Sequence, residues 1–454
     1  MRTVRSGAIL AIGVLALSAC TGNADGGTST NPREDTNSTA EVAEAAEITF
    51  WVNGGDTPDA LREYLIDTFA AENPGSTLVI EEQDWTGLVP RLQTALTSAE
   101  QTPDVVEIGN TQTPTFSHAG AFTDLTELHT EVGGDNLLES FVEAGTVDDT
   151  VYALPYYSGA RAVFYRKDLF DKAGVAVPTT LEELNTAAKT LQEANPGDAA
   201  NFSGFWFPGQ DWLNGLAWIN TYGGEVAVQD GDQWDAQLSS PKSQEALVDI
   251  QELMTTGSNA PADADANEPW VPFNNAEVAM FSAPTWARWS IDLPECNKGV
   301  DPVDESEEAN ALRGEQQACN EEKTGIFPLP GQEEGTPASV FAGGSNIAIP
   351  TMSENQDLAA NLVRIIFSEE YQVMLAENGL IPGNTEYAEA SGDDVYAEAA
   401  RNAALDAKLT PAAEKWADVE GARIMEDLFQ KLASGADPAE AAAEADRLIE
   451  DTLN

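Results

Sequence analysis

Residues 47–109 alternate between strand and helix patterns, and this alternation limits the choice of fold more than any other feature. β-rich runs at 47–52 and 104–108, and a third around Leu78 and Ile80, are separated by stretches in which large apolar residues recur every fourth position. The predicted order is βαβαβ. Because crossovers between such strands are right-handed, the strands are expected to lie parallel in one sheet, which predicts an α/β fold.

Each of these strands is followed by a polar loop. In a parallel sheet such loops emerge along one edge, where open α/β folds bind ligands. One polar loop alone is typical of an ordinary turn, so it is the expected convergence that indicates a site. The candidate binding residues in the loops are Asn53, Asp56, Asp84, Trp85, Asn110, Thr111 and Gln112.

Later segments continue the α/β pattern. The aromatic segment 152–157 is interpreted as a crossing between two lobes, and 162–165 as the start of a new strand. Residues 358–375 and 424–432 have the apolar spacing of amphipathic helices.

The first twenty residues have the pattern of an export signal. Arg2 and Arg5 precede an apolar run, 8–17, which is too short to span a hydrocarbon core of about 30 Å. The run leads into Leu-Ser-Ala-Cys, ending at Cys20, which resembles the lipobox of bacterial lipoproteins. That resemblance implies cleavage before Cys20 and lipidation of its thiol, and so an extracytoplasmic protein anchored to the cell membrane. An ordinary cleaved signal with an accidental cysteine is the alternative.

The segment that follows, 21–46, is dominated by small polar and acidic residues. It is predicted to be a flexible tether with a span of about 25–30 Å. The remaining chain is too long for one ordinary core and about right for two lobes.

The protein is strongly acidic. Its 77 Asp and Glu residues outnumber 22 Lys and Arg, which gives a formal net charge of −55. Because phosphate-rich partners require basic side chains, nucleic acid is excluded as a partner and anionic ligands are disfavoured. The excess of carboxylates otherwise indicates a strongly solvated surface.

The chain has three cysteines. If Cys20 is lipidated, Cys296 and Cys319 remain as a pair in an oxidising compartment, and we expect a disulfide between them. Metal binding is the weaker alternative because no histidine lies nearby. Residues 263–267 resemble the start of a calcium loop, but Glu268 stands where glycine is needed and Asn274 where the bidentate glutamate belongs, so no metal site is predicted.

Five short motifs occur in a fixed order along the chain. They are Ile-Thr-Phe-Trp at 48–51 before a glycine loop, Thr-Pro-Asp-Val-Val-Glu-Ile-Gly-Asn at 102–110, Tyr-Ala-Leu-Pro-Tyr at 152–156, Phe-Tyr-Arg-Lys-Asp-Leu at 164–169 and Gly-Gly-Ser-Asn-Ile-Ala at 343–348. From Glu47 onward the chain thereby resembles the family 1 extracellular solute-binding proteins, the carbohydrate-binding lipoproteins of bacterial ABC transporters, with maltose-binding protein as a distant relative.

The resemblance implies two α/β lobes joined by hinge crossings, with a ligand cleft between them. The first lobe is expected to hold residues 47–157 and 328–382, and the second 158–327 and 383–454. It implies a monomeric carrier that needs no cofactor and no catalytic residue. Such a carrier captures a neutral mono- or oligosaccharide and delivers it to a membrane permease and its ATPase.

Sugars are bound by aromatic rings, which stack on their C–H faces, and by planar polar side chains. In distant relatives the region of Gln210, Asp211 and Trp212 supplies a carboxylate and an aromatic ring. Trp286 follows an Ala-Pro turn and is the best stacking candidate, whereas Arg288 and Trp289 are predicted to be structural.

Other candidates have a plain structural alternative. Arg161 lies near Tyr157 and Ser158 at the lobe crossing and could instead form a hinge salt bridge. Gly344, Ser345 and Asn346 precede a strand, where the glycines permit close backbone approach, and could form only a tight turn. Core burial is the alternative for Trp85 and Trp416.

Two other classes of protein share some of these sequence features. A secreted glycoside hydrolase also needs carboxylates and aromatic rings in a cleft, and chance carboxylate pairs are inevitable in so acidic a chain. No catalytic pair, nucleophile elbow or phosphate loop is recognisable, however. An envelope scaffold predicts repeats, and the chain has none.

Overall fold

The computed structural model describes residues 45–55, 57–85, 87–300, 306–405 and 407–454. The predicted signal, Cys20, nearly all of the tether and Asp56 lie outside these ranges. No helix within them has both the length and the apolar character needed to cross a membrane.

One large mixed sheet organises the described residues. Its strands, together with two short hairpins, are β1 (Glu47–Asn53), β2 (Thr77–Gln83), β3 (Val105–Gly109), β4 (Thr146–Val147), β5 (Thr150–Val151), β6 (Leu154–Arg166), β7 (Ser203–Trp206), β8 (Ala227–Asp230), β9 (Gln233–Ala236), β10 (Val278–Pro284), β11 (Thr324–Phe327), β12 (Ala342–Ala348) and β13 (Ile381–Pro382).

The strand order of the sheet is β2-β1-β3-β12-β6-β10-β7, and β11 and β13 also pair with β6. Strand β1 is parallel to both β2 and β3, which confirms the predicted βαβαβ unit. Strand β12 runs antiparallel to β3, with Ser345 opposite Gly109. The polar loops after β1, β2 and β3 therefore leave the sheet at one edge, beside the start of β12.

Strand β6 is 13 residues long and belongs to both halves of the sheet. Its first part, from Leu154 to Ala160, pairs with β12, and its last part, from Arg161 to Arg166, pairs with β10 and β11. The segment does pass from one half of the sheet to the other, as predicted, but the expectation that 162–165 starts a new strand is wrong, because the backbone stays paired through Gly159 and Ala160.

Helices cover the faces of the sheet. They are α1 (Asp59–Glu72), α2 (Leu88–Ala95), α3 (Thr113–His118), α4 (Thr126–Val132), α5 (Glu139–Ala144), α6 (Lys167–Ala173), α7 (Leu181–Ala194), α8 (Trp212–Thr221), α9 (Pro241–Thr256), α10 (Trp270–Asn274), α11 (Glu307–Lys323), α12 (Gln356–Ile366), α13 (Glu369–Glu377), α14 (Val395–Leu405), α15 (Trp416–Gly421), α16 (Ile424–Ala433) and α17 (Pro438–Leu453).

The helix predicted over 358–375 is two helices, α12 and α13. The break falls at Phe367 and Ser368, where the Ser368 hydroxyl accepts a hydrogen bond from the backbone N–H of Tyr371 and caps α13. A serine in this position competes with continuation of the helix and favours a new start.

Two separate hydrophobic cores give the molecule two lobes. The first core gathers side chains of β1, β12, α1, α12 and α13, including Phe50, Ile347 and Tyr371. The second gathers side chains of α7, α8, α9, α16 and α17 around Trp218 and Trp416. This arrangement confirms the predicted two-lobed α/β fold.

A disulfide joins Cys296 to Cys319, as predicted, across Cα atoms 5.6 Å apart. It links α11 to the loop that follows β10, and its two cysteines lie 23 positions apart in the chain. Both sulfur-bearing residues belong to a small third cluster with Phe273 and Phe281, away from the two main cores.

Candidate functional site

A cavity of about 750 Å³ opens between the two lobes. The first lobe contributes the loops after β1, β2 and β3 and the glycine-rich start of β12. The second contributes the first turn of α8, the 3₁₀ turn Thr285–Ser290 and residues of α15 and α16. The site therefore lies where the sheet edge predicted from the βαβαβ order meets the opposite lobe.

Tryptophan rings form much of the cavity lining. Trp85, Trp212, Trp286 and Trp289 all line it, and Tyr157 lies among them. Trp289 is 57% exposed and Trp85 is 39% exposed, so both present ring surface to solvent. Trp212 is only 8% exposed and is tilted against Trp416 at a ring separation of 6.5 Å.

Trp286 and Trp289 come from the short 3₁₀ turn after β10, and packing holds each ring. Trp286 meets Trp270 edge to face, with the ring centroids 5.7 Å apart. The guanidinium of Arg288 lies 4.3 Å from the Trp289 ring and forms an ion pair of 3.0 Å with Asp394. Arg288 thus positions Trp289 by a cation–π contact.

Strand β12 approaches β6 closely at the cavity. Gly344 has a φ of +143°, and a Cβ at this position would collide with the carbonyl oxygen of Tyr157. The close approach predicted for this glycine is therefore required by the fold. Ser345, one residue later, is fully buried, and its hydroxyl has no partner among the described residues.

Amide and hydroxyl groups line the first-lobe side of the cavity. Asn110 donates from Nδ2 to the carbonyl of Ala342 at 2.6 Å, which fixes the loop after β3 against β12. Tyr157 donates its hydroxyl proton to Glu107 Oε1 at 2.8 Å. Such planar polar groups, held by the backbone and by buried carboxylates, present donors and acceptors in fixed directions.

Two glutamates line the second-lobe side. Glu420 accepts hydrogen bonds from Gln112 Nε2 at 2.8 Å and from Trp416 Nε1 at 3.0 Å. Burial raises the pKa of Glu420, although hydrogen bonds from Gln112, Thr111 and Trp416 oppose the rise. Burial also raises the pKa of Glu426, whose Oε2 atom has no hydrogen-bond partner in the described structure.

Comparison with known proteins fixes the family. The family described as bacterial extracellular solute-binding protein matches residues 54–373. The chain is 30% identical over 451 residues to the diacetylchitobiose binding protein DasA of Streptomyces coelicolor, and the match covers 96% of each chain. This chain belongs to the bacterial extracellular solute-binding proteins.

Solved structures share the fold of this solute-binding protein. The GacH receptor of Streptomyces glaucescens aligns with a TM-score of 0.72 at 20% identity, over 90% of this chain and 98% of that one. The sugar-binding protein MalE of Xanthomonas citri aligns with the same TM-score and identity, over 90% and 97%. Because this family consists of binding proteins, the chain's membership in it confirms the prediction of a solute-binding protein and counts against a glycoside hydrolase.

The structure of this solute-binding protein brings half of the predicted site residues to the cavity. Those that line it are Trp85, Asn110, Thr111, Gln112, Tyr157, Trp212, Trp286, Gly344 and Ser345. They come from six separate stretches of the chain and from both lobes.

Other predicted residues lie behind the lining, and each has at least one side-chain hydrogen bond within the protein. Asn53 is buried and donates from Nδ2 to the carbonyl of Glu107. Asn346 donates from Nδ2 to the carbonyl of Phe141 at 2.8 Å. Asp211 is 4% exposed and caps α8 by accepting from the backbone N–H of Asn214. Asp211 thereby positions the neighbouring Trp212 instead of facing the cavity.

The remaining predicted residues also lie outside the cavity lining. The Trp416 ring is completely buried and reaches the site through Glu420 and through its contact with Trp212, which both line the cavity. Ser158 is buried, Asp84 is exposed, Arg161 is half-buried, and Gln210 accepts a hydrogen bond from Arg423. Asp56 falls outside the described residues.

Sequence reasoning missed three side chains of the lining that can bind a ligand. The sequence predicts a structural role for Trp289, whereas the structure places this residue, 57% exposed, in the cavity lining. Glu420 and Glu426 were not predicted, because 77 acidic residues provide no signal that distinguishes them.

Proposed function

We propose that this protein captures a mono- or oligosaccharide in the interlobe cavity and delivers it to the permease and ATPase of an ABC importer. The observation that supports this most strongly is the combination of Trp85, Trp212, Trp286 and Trp289 with planar polar side chains in one cavity. Aromatic faces match the apolar C–H surfaces of pyranose rings, and fixed amide, hydroxyl and carboxylate groups match their hydroxyls.

The similarity to DasA supports a saccharide as the ligand. DasA is named as a diacetylchitobiose binding protein, and it matches this chain along nearly its whole length. The cavity volume of about 750 Å³ falls in the range of small-molecule sites and is large enough for more than one sugar ring.

We assign direct contacts with the sugar to the predicted residues that line the cavity and to Trp289, Glu420 and Glu426. Hydrogen bonds such as Gln112 to Glu420 span the two lobes, so they supply the contacts that a closing motion remodels. Capture and release then correspond to closed and open arrangements of the lobes, which a permease can distinguish.

For the lobe boundaries, we propose 47–157 and 328–382 for the first lobe and 158–327 and 383–454 for the second, with one adjustment. Leu329, Val340 and Phe341 pack in the second core. This packing supports a crossing near Phe341, later than Pro328.

We further propose that Cys20 carries a lipid that holds a monomeric protein at the outer face of the cell membrane, on the polar tether of residues 21–46. Replacing Cys20 with serine tests the anchor. The variant is expected to leave the membrane fraction, and retention there would contradict lipidation at this residue.

A panel of mono- and oligosaccharides tests the binding function. A sugar at about 100 times its Kd is expected to stabilise the protein by about 2.7 kcal/mol, which appears as a rise in melting temperature. The sugar should be recovered intact after prolonged incubation. Failure of every saccharide to raise the melting temperature would contradict the proposal, and recovery of cleaved sugar would favour a hydrolase.

A further inference from the structure

The charged side chains described in the cavity lining are all acidic. Among the described residues that line the cavity, the charged side chains are Glu420 and Glu426, and there is no lysine, arginine or histidine. Glu420 lies in α15 and Glu426 in the first turn of α16. A ligand between the lobes therefore meets two carboxylates and no basic side chain from the described residues.

The protein's own neutralising contacts to these carboxylates are weak. Glu420 receives its hydrogen bonds from the uncharged side chains of Gln112 and Trp416. Arg423 acts electrostatically on Glu426, but its Nη2 donates to Gln210 Oε1 at 2.7 Å. Among the described residues, neither glutamate is within ion-pair distance of a basic group.

Within the part of the chain that the structure describes, two polar atoms of the lining lack a hydrogen-bond partner, and they indicate where a ligand donor or acceptor belongs. One is Glu426 Oε2, and the other is the hydroxyl of Ser345, a completely buried residue. Buried polar atoms are normally paired, so an unpaired atom at the wall of a binding cavity is a natural partner for the ligand. For a carboxylate oxygen, that partner must be a donor.

The aromatic surface favours the same chemistry. The partly exposed rings of Trp85 and Trp289 line the cavity that holds the two carboxylates. Tryptophan faces attract cations, and carboxylates pair with ammonium groups by charge-assisted hydrogen bonds. Closure over a ligand would remove water from the glutamates, and an ammonium group offsets the cost of that desolvation better than a neutral hydroxyl.

We propose that the cavity is selective for a saccharide that carries a protonated amine, such as an oligomer of glucosamine. The ammonium group pairs with Glu426 and Glu420, and sugars that carry a carboxylate are rejected. This inference rests on the proposed saccharide-binding function. It replaces the neutral sugar that is predicted from the sequence with a cationic sugar.

Titration calorimetry of the full-length protein with three matched trisaccharides tests the inference. These are the β-1,4-linked trimers of glucosamine, N-acetylglucosamine and glucose, measured at about pH 6. Neighbouring oxygen atoms lower the pKa of the glucosamine amine below that of a lysine side chain, but at this pH the amine is still largely protonated. The glucosamine trimer is expected to bind at least about 10-fold more tightly than either neutral trimer, the discrimination typical of a charge-assisted pair. A trimer of galacturonic acid is expected not to bind.

The Glu426→Gln variant separates charge from shape, because glutamine keeps the size of the side chain. It is expected to lower the affinity for the glucosamine trimer about 10-fold more than it lowers the affinity for the glucose trimer. Asp427→Asn is the matched control, because it removes the same charge from an exposed neighbour in the same helical turn but keeps the Glu426 carboxylate, so it should preserve the preference for the glucosamine trimer. Melting curves of both variants verify that they fold.

Salt dependence of the unaltered protein gives a second readout that requires no variant. The advantage of the glucosamine trimer should shrink at about 1 M salt, where the Debye length is about 3 Å. Equal affinity for the cationic and neutral trimers, or equal losses for both in Glu426→Gln, would overturn this inference while leaving saccharide binding intact. Failure of every trimer and of the wider sugar panel to bind would overturn both.

Discussion

Gln112 and Glu420 lie 308 positions apart in the chain and are joined by a hydrogen bond of 2.8 Å from Nε2 to Oε2. Gln112 follows the third strand of the first lobe, and Glu420 lies in α15 of the second. Both line the same cavity. A hydrogen bond between an amide and a buried carboxyl group thus links the two lobes at the candidate binding cavity.

Replacing Glu420 with glutamine should alter the pH dependence of stability. Burial raises the pKa of Glu420 above its ordinary value, so the carboxyl contributes most to stability when protonated. That contribution is lost as the pH rises from the ordinary glutamate range through the raised value. The variant should therefore gain stability relative to the unaltered protein, by about 1.4 kcal/mol for each unit of the shift.

Urea unfolding between about pH 4 and pH 7 measures this difference. Asp418→Asn, at an exposed position in the same helix, serves as the control and should follow the unaltered protein. A constant difference between Glu420→Gln and the unaltered protein across this range would refute the assignment of Glu420 as a buried, ionisable group.

The two adjacent glycines of β12 should respond differently to alanine. Gly344→Ala introduces a Cβ against the Tyr157 carbonyl at a positive φ and is expected to cost about 1–3 kcal/mol of stability. Gly343→Ala meets no atom nearer than 3.8 Å and should change the free energy of unfolding by less than about 0.5 kcal/mol. Chemical unfolding of the two variants decides the matter, and equal costs would contradict the described approach of β12 to β6.

Trp289→Ala and Trp416→Ala should separate ligand contact from core packing. Trp289 is 57% exposed, so its removal should leave stability nearly unchanged and weaken sugar binding by about 3- to 10-fold, the value of one aromatic contact. Trp416 is completely buried, and its truncation should cost about 3–5 kcal/mol of stability. Paired unfolding and calorimetric measurements test both, and a large stability loss in Trp289→Ala would assign that ring to the core.

Removing the disulfide should destabilise the second lobe. The double variant Cys296→Ser, Cys319→Ser frees a loop of 23 residues' separation and is expected to lose about 3 kcal/mol through the larger entropy of the unfolded chain. Chemical reduction of the unaltered protein should produce the same loss in denaturant titrations. If reduction has no effect on the unaltered protein, the bridge contributes nothing to its stability.

The fold of the first lobe could be predicted because local patterns determine it. Apolar residues at every fourth position in α1 and alternation in β2 reveal which face each element buries, and right-handed crossovers then fix parallel pairing. The continuity of β6 could not be predicted in this way. Its pairing depends on partners far away in sequence, β10 and β12, and Pro155 and Gly159 resemble local interruptions.

The candidate site was predictable at loop level but not for individual side chains. Trp85 and Asn53 both follow predicted strands, yet Trp85 lines the cavity whereas Asn53 is buried against Glu107. Asn53 is the last residue of β1 whereas Trp85 lies in the loop after β2, and the sequence alone does not specify this difference. Glu420 reaches the cavity only because Trp416, four residues earlier, anchors α15 in the second core.

Because both lobes share β6, this strand cannot gain or lose a single residue without disturbing the second lobe. Side chains alternate sides along a strand, so inserting or deleting one residue near Gly159 would turn every later side chain of β6 to the opposite face. Phe164 would leave its stack with Phe281, and Val163 would leave the second core. Surface loops around the cavity tolerate changes in length. Strand β6, by contrast, must keep its number of residues if both halves of the sheet are to pair and pack correctly.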